Sequence, residues 1–254
     1  MVKKLIMVGV SSLLLIGCSS NLKQNLEKKS IEVGTYEGKY FNVDMGGKKV
    51  RIPLLKDYQH ITSENDKEIF DILNTLEQAP NSTNLAFLVS NADYMGMLTG
   101  IRESIEDSYI IIRMQNNLKD KKITNEDFNH LTFFYERNYE RVFNSNYLKD
   151  EVNKNANKIN SDTKLKYNED MGLERVKIEP LNFEKNDNKS FMLTNILNFK
   201  IKEENFQILN VGGMLHYNNS LLLVIVNTVL KDKLTDSLTE EKEDFCKEYL
   251  NSFR

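Results

Sequence analysis

The sequence predicts an α+β fold, an antiparallel sheet built from a C-terminal four-strand meander plus N-terminal strands and packed by about three helices. Three observations carry this. Apolar runs at residues 176–183, 191–200, 206–217 and 221–230 follow one another across short polar turns, Asn186-Asp187-Asn188, Glu203-Glu204 and Asn218-Asn219. Turns that short force antiparallel pairing, because parallel neighbours need a long crossover. Three stretches repeat apolar residues every three or four positions, which is helical spacing. Cysteine occurs twice in 254 residues, so the fold rests on burial rather than on a disulfide framework.

From the N-terminus, Lys3 and Lys4 precede an apolar run over residues 5–16. Its length matches a signal-peptide core of about 7–15 residues and falls short of a bilayer span of about 30 Å. The run ends in Leu15-Ile16-Gly17-Cys18. A small residue followed by a thiol at this place resembles the lipobox of bacterial lipoproteins, which implies that Cys18 receives a diacylglyceryl thioether and becomes the new N-terminus. The competing reading is an ordinary hydrophobic anchor with an incidental cysteine, against which position, charge and box agree. Each buried methylene of a lipid chain contributes about 0.8 kcal/mol, so two or three chains hold a protein on a membrane more firmly than one. Ser19, in place of an aspartate, is compatible with sorting to an outer membrane where the host has one. Residues 1–17 are thus expected to be a cleaved signal peptide, 18–33 a lipidated cysteine and flexible tether, and 34–254 a single α+β domain. Fifteen tether residues rich in Asn and Lys reach about 20 Å if flexible.

Within the domain, residues 40–43, Gly46-Gly47 and residues 50–52 read as a β-hairpin, since a glycine pair supplies the positive φ angles of a tight turn, and Pro53 closes the second strand. Ser63 with Asp66 three positions later predicts a helix N-terminus, and Ile69, Phe70, Ile72, Leu73 and Leu76 predict a helix over 64–78 that stops before Pro80. Residues 85–89 and 109–115 are strand candidates, the first a continuous apolar run and the second isoleucine-rich. The stretch 93–108 between them carries no clear pattern. Thr124-Asn125-Glu126-Asp127 starts a second helix, marked by Phe128, Leu131, Tyr135, Tyr139, Val142 and Phe143. Residues 153–170, dense in Asn, Lys and Asp, read as a fraying end and loop and as an internal boundary. In the meander, Pro180 cannot donate to a ladder and places the first strand at an edge. Residues 221–226 are apolar on both faces, which predicts the central strand. A last helix over 235–253 shows Leu238, Phe245, Tyr249, Leu250 and Phe253.

Ile52-Pro53-Leu54, Asn84-Leu85-Ala86-Phe87-Leu88-Val89, Tyr109, the helix start from Ile123 to Phe128, the hairpin from Asn210 to Val226 and the closing helix resemble a widespread group of uncharacterised exported bacterial lipoproteins. The resemblance spans about residues 40–254 and rests on dispersed core positions. It implies a fold like that of PsbP-like and DcrB-like proteins, an antiparallel sheet sandwiched by helices, whose members are mostly binding or assembly factors. No catalytic motif accompanies it.

The residues themselves offer little chemistry. His60, His130 and His216 lack a second histidine or cysteine at metal-ligand spacing. There is no G-x-S-x-G elbow, P-loop or dinucleotide fingerprint. Glu126 and Asp127 are explained by the helix N-terminus, and the acidic turn at 186–188 lacks the glycine and distal glutamate of a calcium loop. Gly212-Gly213 reads as a strand bulge, and Cys246 as a small apolar residue of the last helix. Loss of Lys3 and Lys4 takes the formal charge from −3 to −5, and no basic stripe carries interleaved aromatics, so nucleic acid is not an expected partner. No catalytic, cofactor or metal residue is assigned; Cys18 is the one predicted site, for lipidation. The expected function is a membrane-anchored binding or assembly module with an envelope protein as partner. The alternative is a small-ligand carrier or sensor with a cleft beside the sheet, lined by Tyr135, Tyr139 and Phe143; an enzyme with an unrecognised site is a third reading.

Overall fold

A computed structural model describes residues 32–45, 48–79, 82–99, 101, 105–115, 122–168 and 170–253. The lipobox with Cys18, the tether up to residue 31 and the Gly46-Gly47 turn lie outside the described residues. The fold is α+β with antiparallel sheets, as predicted. Three strands, β1 (Glu32–Glu37), β2 (Tyr40–Met45) and β3 (Lys48–Pro53), form a small sheet in that order. Seven more, β4 (Tyr58–Ile61), β5 (Ser82–Ser90), β6 (Ser108–Gln115), β7 (Leu173–Lys185), β8 (Ser190–Ile201), β9 (Glu204–Tyr217) and β10 (Ser220–Val229), form a second sheet ordered β4-β5-β6-β10-β9-β8-β7. Every ladder is antiparallel. Five helices are described: α1 (Lys67–Leu76), α2 (Asn91–Thr99), α3 (Asn125–Phe143), α4 (Asn146–Tyr167) and α5 (Asp236–Ser252).

The meander β7–β10 stands as predicted. β10 is the middle strand, paired with β9 on one side and β6 on the other, and residues 220–228 are all buried. Pro180 lies on the edge strand β7, beside a register irregularity between Pro180 and Asn182. Because side chains alternate across a strand, the large sheet feeds two cores. Phe87, Val89, Tyr109, Ile111, Leu223 and Ile225 face α1, α3 and α4. Ala86, Leu88, Ile110, Ile112, Val224 and Val226 face the small sheet and α5. The molecule is therefore three layers deep.

Several expectations change. The N-terminal hairpin does not join the large sheet; Phe41, Val43, Val50 and Ile52 lay it across that sheet as a separate layer. β1 begins at Glu32, two residues ahead of the predicted start, and α2 occupies part of the patternless stretch. Helix α1 is capped by Asp66, whose side chain accepts from Ile69 N at 3.4 Å, not by Ser63. The turn before it is instead closed by Asn65 Oδ1 accepting from Thr62 N at 2.8 Å. Residues 153–167 are not a loop: α4 is helical through Tyr167, with Leu148, Val152, Asn155, Ala156, Ile159 and Thr163 buried on one face. Asn155 and Thr163 hide that stripe from a hydropathy reading, yet both are satisfied, Asn155 Nδ2 by Gln78 O at 2.9 Å and Thr163 Oγ1 by Ile159 O at 2.8 Å. Asn168 ends the helix in the left-handed region, where asparagine is tolerated. Gly212-Gly213 is no bulge, since β9 keeps register with β8 and β10 throughout. A Cβ on Gly213 would stand 2.7 Å from Leu250 Cδ1, so the bare backbone is what lets α5 seat on the sheet.

Candidate functional site

A concavity lies on the outer face of the small sheet. Phe41 and Val43 of β2 point inward, as do Val50 and Ile52 of β3, so their neighbours Asn42, Asp44, Lys49 and Arg51 point outward. Register places Thr35, Asn42 and Arg51 in one cross-strand row and Asp44 opposite Lys49. The cavity has a volume of 490 Å³ and is lined by these residues with Glu37 and Asn218. Asn42 Nδ2 donates to Glu37 Oε2 at 3.0 Å. The Arg51 guanidinium stands 4.2 Å from the centre of the Tyr40 ring, a cation–π contact that fixes its direction. One end is braced by the β9–β10 turn: Asn218 Nδ2 donates to Lys49 O at 3.4 Å, and Tyr217 Oη accepts from Arg51 N at 3.3 Å. Asn218 and Asn219 have φ of 47° and 57°, the left-handed pair a two-residue hairpin turn needs. Two carboxylates and two cations thus share one basin, an arrangement that can hold a charge of either sign next to its opposite.

A second cavity of 420 Å³ opens where β5 enters α2 and where β10 ends, lined in part by Ser90, Glu106, Asp107, Lys231 and Leu238. Lys231 pairs with Glu106 at 3.2 Å on its rim, a contact exposed to solvent.

Most groups with strongly displaced protonation lie in the core, the half-buried Tyr94 beside Asp66 being the exception, and none lines either cavity. Arg113, fully buried on β6, gives Nε to Asn84 Oδ1 at 2.7 Å and Nη2 to the Glu77 carbonyl. Burial pulls its pKa down to about 10, and the charge of Glu77 beside it acts in the opposite sense. The Tyr109 hydroxyl donates to Glu77 Oε1 at 2.7 Å, completing a buried polar knot behind α1. His60 is buried on β4; its Nε2 accepts from Leu55 N at 3.4 Å, its Nδ1 has no partner among the described residues, and burial lowers its pKa to about 4. His130 is exposed on α3, whereas His216 stacks on Phe128 with Nε2 2.7 Å from Ile123 O. Cys246 is buried against Val211, and burial pushes its thiol up to about 12, so it serves as a small core residue.

Tyr135, Tyr139 and Phe143 do not line either cavity. All three are buried, with ring centres 5.7 Å apart for Tyr135–Phe191 and 5.0 Å for Tyr139–Phe143. The Tyr139 hydroxyl accepts from Leu181 N at 3.1 Å and lies against Thr194 O, bracing the sheet where Pro180 interrupts it; burial raises its pKa. Among the described residues, no group of three or more His, Cys, Asp or Glu is placed to hold a metal ion, and no helix is long and apolar enough to cross a membrane.

No protein-family model matches the chain, and no curated protein does. Two solved structures align with it. The Saccharomyces cerevisiae Ran-binding protein Mog1p is 12% identical over 84% of this chain and 89% of its own, with a TM-score of 0.29. A point variant of protein Mog1 is 12% identical over 89% of this chain and 91% of its own, with a TM-score of 0.28.

The sequence reading missed the outward charges of the small sheet, although the signal was present: in residues 41–44 and 49–52 polar and apolar residues strictly alternate. Arg113 inside Ile110-Ile111-Ile112-Arg113-Met114 was the other overlooked signal, since a cation in an apolar run demands a buried partner.

Proposed function

We propose that this chain is a bacterial lipoprotein, held in the cell envelope by acyl chains on Cys18, that works as a binding or assembly module for another envelope protein. The observation that carries the reading is the run from Lys3 to Cys18, in which charge, apolar length and lipobox agree. Ser19 favours the outer membrane where the host has one. The resemblance to exported PsbP-like and DcrB-like proteins supports the same class. The displaced ionisable groups packed into the core fit a binding scaffold better than an acid–base site, for which such groups would have to face a cleft. The charged basin of the small sheet is the surface offered to a partner.

Metabolic labelling with radioactive palmitate in the host tests the anchor. The full chain is expected to take up label and sediment with membranes, and Cys18→Ala to lose both. Label retained by Cys18→Ala refutes the anchor. Crosslinking of the lipidated protein followed by mass spectrometry then tests the module, and a parallel Arg51→Glu/Lys49→Glu variant should lose the same crosslinked partner.

A second reading is favoured by one observation: 490 Å³ with Arg51 and Lys49 facing Glu37 and Asp44 suits a small zwitterion. Thermal-shift measurements with free amino acids and dipeptides address it, and a flat melting temperature across the panel removes it.

A further inference from the structure

Helix α2 is apolar on two sides: Tyr94 and Met97 pack on the core, while Met95 and Leu98 face out. A surface helix ordinarily buries its apolar side and shows water its polar one. Here Asp93 and Gly96 are buried, while Ala92, Met95 and Leu98 form the outward stripe at three-residue spacing, continued by Ile101 just past the helix end. Met95 is 54% exposed, Leu98 55% and Ile101 81%, and none of these outward residues is charged. The outward stripe has a cause in the fold. Asp93 is held inside because it accepts from Ser90 Oγ at 3.1 Å and from Glu106 N at 3.3 Å, closing the β5–α2 turn and the approach to β6. The register of the helix is thereby locked with Met95 and Leu98 facing out.

The stripe adjoins the strand through which the anchored end of the chain enters the domain. Tyr94, next to Met95, donates from its hydroxyl to Asp66 Oδ2 at 2.7 Å, and neighbouring Asn65 Nδ2 donates to Tyr36 Oη of β1 at 2.7 Å. Tyr36 is itself half exposed. Tyr36 lies four residue steps beyond Glu32, a distance of about 13 Å along a strand. Fourteen peptide steps from Cys18 to Glu32 then limit the start of β1 to within about 50 Å of the anchoring membrane, whatever path those residues take.

We infer that the outward face of α2, Met95 and Leu98 with Ile101, rests on the lipid surface that holds Cys18, so that the domain lies against the bilayer in a fixed orientation. The inference rests on the lipid-anchor reading. The occupant is a bilayer because the anchor brings one within covalent reach of this end of the molecule, and because the stripe carries no charge that lipid would have to desolvate. An interfacial helix of this kind seats its apolar face about 5–10 Å into the headgroup boundary. With α2 down, α3 is held away: α2 packs on β4 and β5, α3 packs on β7, and β4 and β7 are opposite edges of the seven-stranded sheet. Six interstrand spacings put those edges about 29 Å apart.

The sequence contains no tryptophan, so a single introduced indole is a clean depth probe. The full chain carrying Leu98→Trp is lipidated in its host, purified and reconstituted into phosphatidylethanolamine–phosphatidylglycerol vesicles with and without brominated acyl chains. Met95→Trp is the second probe, and Phe133→Trp on α3, half exposed in the native chain, is the control. The expected result is co-flotation with the vesicles, a blue-shifted emission at positions 95 and 98 that brominated lipid quenches, and no quenching at 133. Co-flotation without quenching at 95 and 98, or with equal quenching at 133, overturns the orientation and leaves the anchor standing. Failure to float overturns the anchor and the orientation with it.

Discussion

Two adjacent glycines of β9 are expected to respond to the same substitution with opposite signs. A Cβ on Gly213 would meet Leu250 at 2.7 Å, 3.0 Å and 3.1 Å, three atoms of one fully buried side chain. Real Cβ contacts are not that short, so Leu250 or the whole of α5 has to give way. Overpacking of this kind costs about 1–3 kcal/mol. Replacing a strand glycine by alanine returns about 0.5–1 kcal/mol of chain entropy, leaving Gly213→Ala less stable by about 1–2 kcal/mol. On Gly212 the nearest atoms to a Cβ are Asn210 Oδ1 and Leu193 O, both at 3.8 Å, an ordinary contact. Gly212→Ala is therefore expected to be neutral or more stable by up to about 1 kcal/mol. Urea unfolding of both variants, with melting temperatures moving by about 2–4 °C per kcal/mol for a domain of this size, resolves the difference. Leu250→Ala alone costs about 2–5 kcal/mol, but combined with Gly213→Ala it should cost less than the sum, because the clash is gone. If Gly213→Ala matches the parent, or if the pair is strictly additive, the close approach of α5 to β9 is not what the glycine is for.

Three further outcomes follow from the core. The pKa of His60 drops on folding from the ordinary 6.5 to about 4, so between those values the unfolded chain takes up a proton that the folded one refuses. Stability is full above pH 6.5 and falls as pH drops toward 4, by about 3 kcal/mol in all, and urea midpoints at pH 7 and 4.5 should converge in His60→Gln relative to the parent. Removing Glu77 leaves Arg113 buried beside one anion fewer, so Glu77→Ala should lose about 3–5 kcal/mol in thermal unfolding, with much of it recovered in Glu77→Leu/Arg113→Met. Thr124 holds the Asp127 carboxyl below its ordinary range through hydrogen bonds from its hydroxyl and backbone at 2.7 Å and 2.8 Å. An NMR titration of Thr124→Val should therefore show that carboxyl moving up, and an unmoved carboxyl would remove the capping box as the cause.

The meander, the central strand and the last helix were legible because each satisfies a simple period over many residues. Residues 221–226 are apolar at every position, and a strand buried on both faces has no other pattern to show. What escaped the sequence is polar residues doing apolar work. Asn155 and Thr163 hold buried positions of α4 through partners that lie far off in sequence or in the preceding turn, so the helix reads as a solvated loop. Asp93 likewise sits where a hydrophobic residue is expected, and its reward is a distant backbone amide, that of Glu106. β4 is four residues long, too short to establish a period. The charged basin was half legible, since alternation in β2 and β3 assigns outward faces, but the bracing by Asn218 and Tyr217 comes from residues more than a hundred positions away.

The three-layer build bears on where this protein can act. Helices α1, α3 and α4 cover one face of the large sheet, and the small sheet with α5 covers the other, so both faces of that sheet are consumed by packing. The aromatic residues that invited a ligand cleft are spent on the first of those cores. The surfaces left open are the outsides of the layers, where the small sheet turns Glu37, Asp44, Lys49 and Arg51 to solvent and α2 turns out Met95 and Leu98. These two surfaces differ in chemistry and meet near Tyr36 of β1, one charged on both signs and one apolar. A domain that laid α2 on lipid would spend its apolar surface on orientation and keep its charged one for recognition. That division predicts separable defects: Met95→Glu/Leu98→Glu should release the quenched face from the bilayer and leave partner crosslinking in place, whereas Lys49→Glu/Arg51→Glu should abolish crosslinking and leave the membrane contact intact.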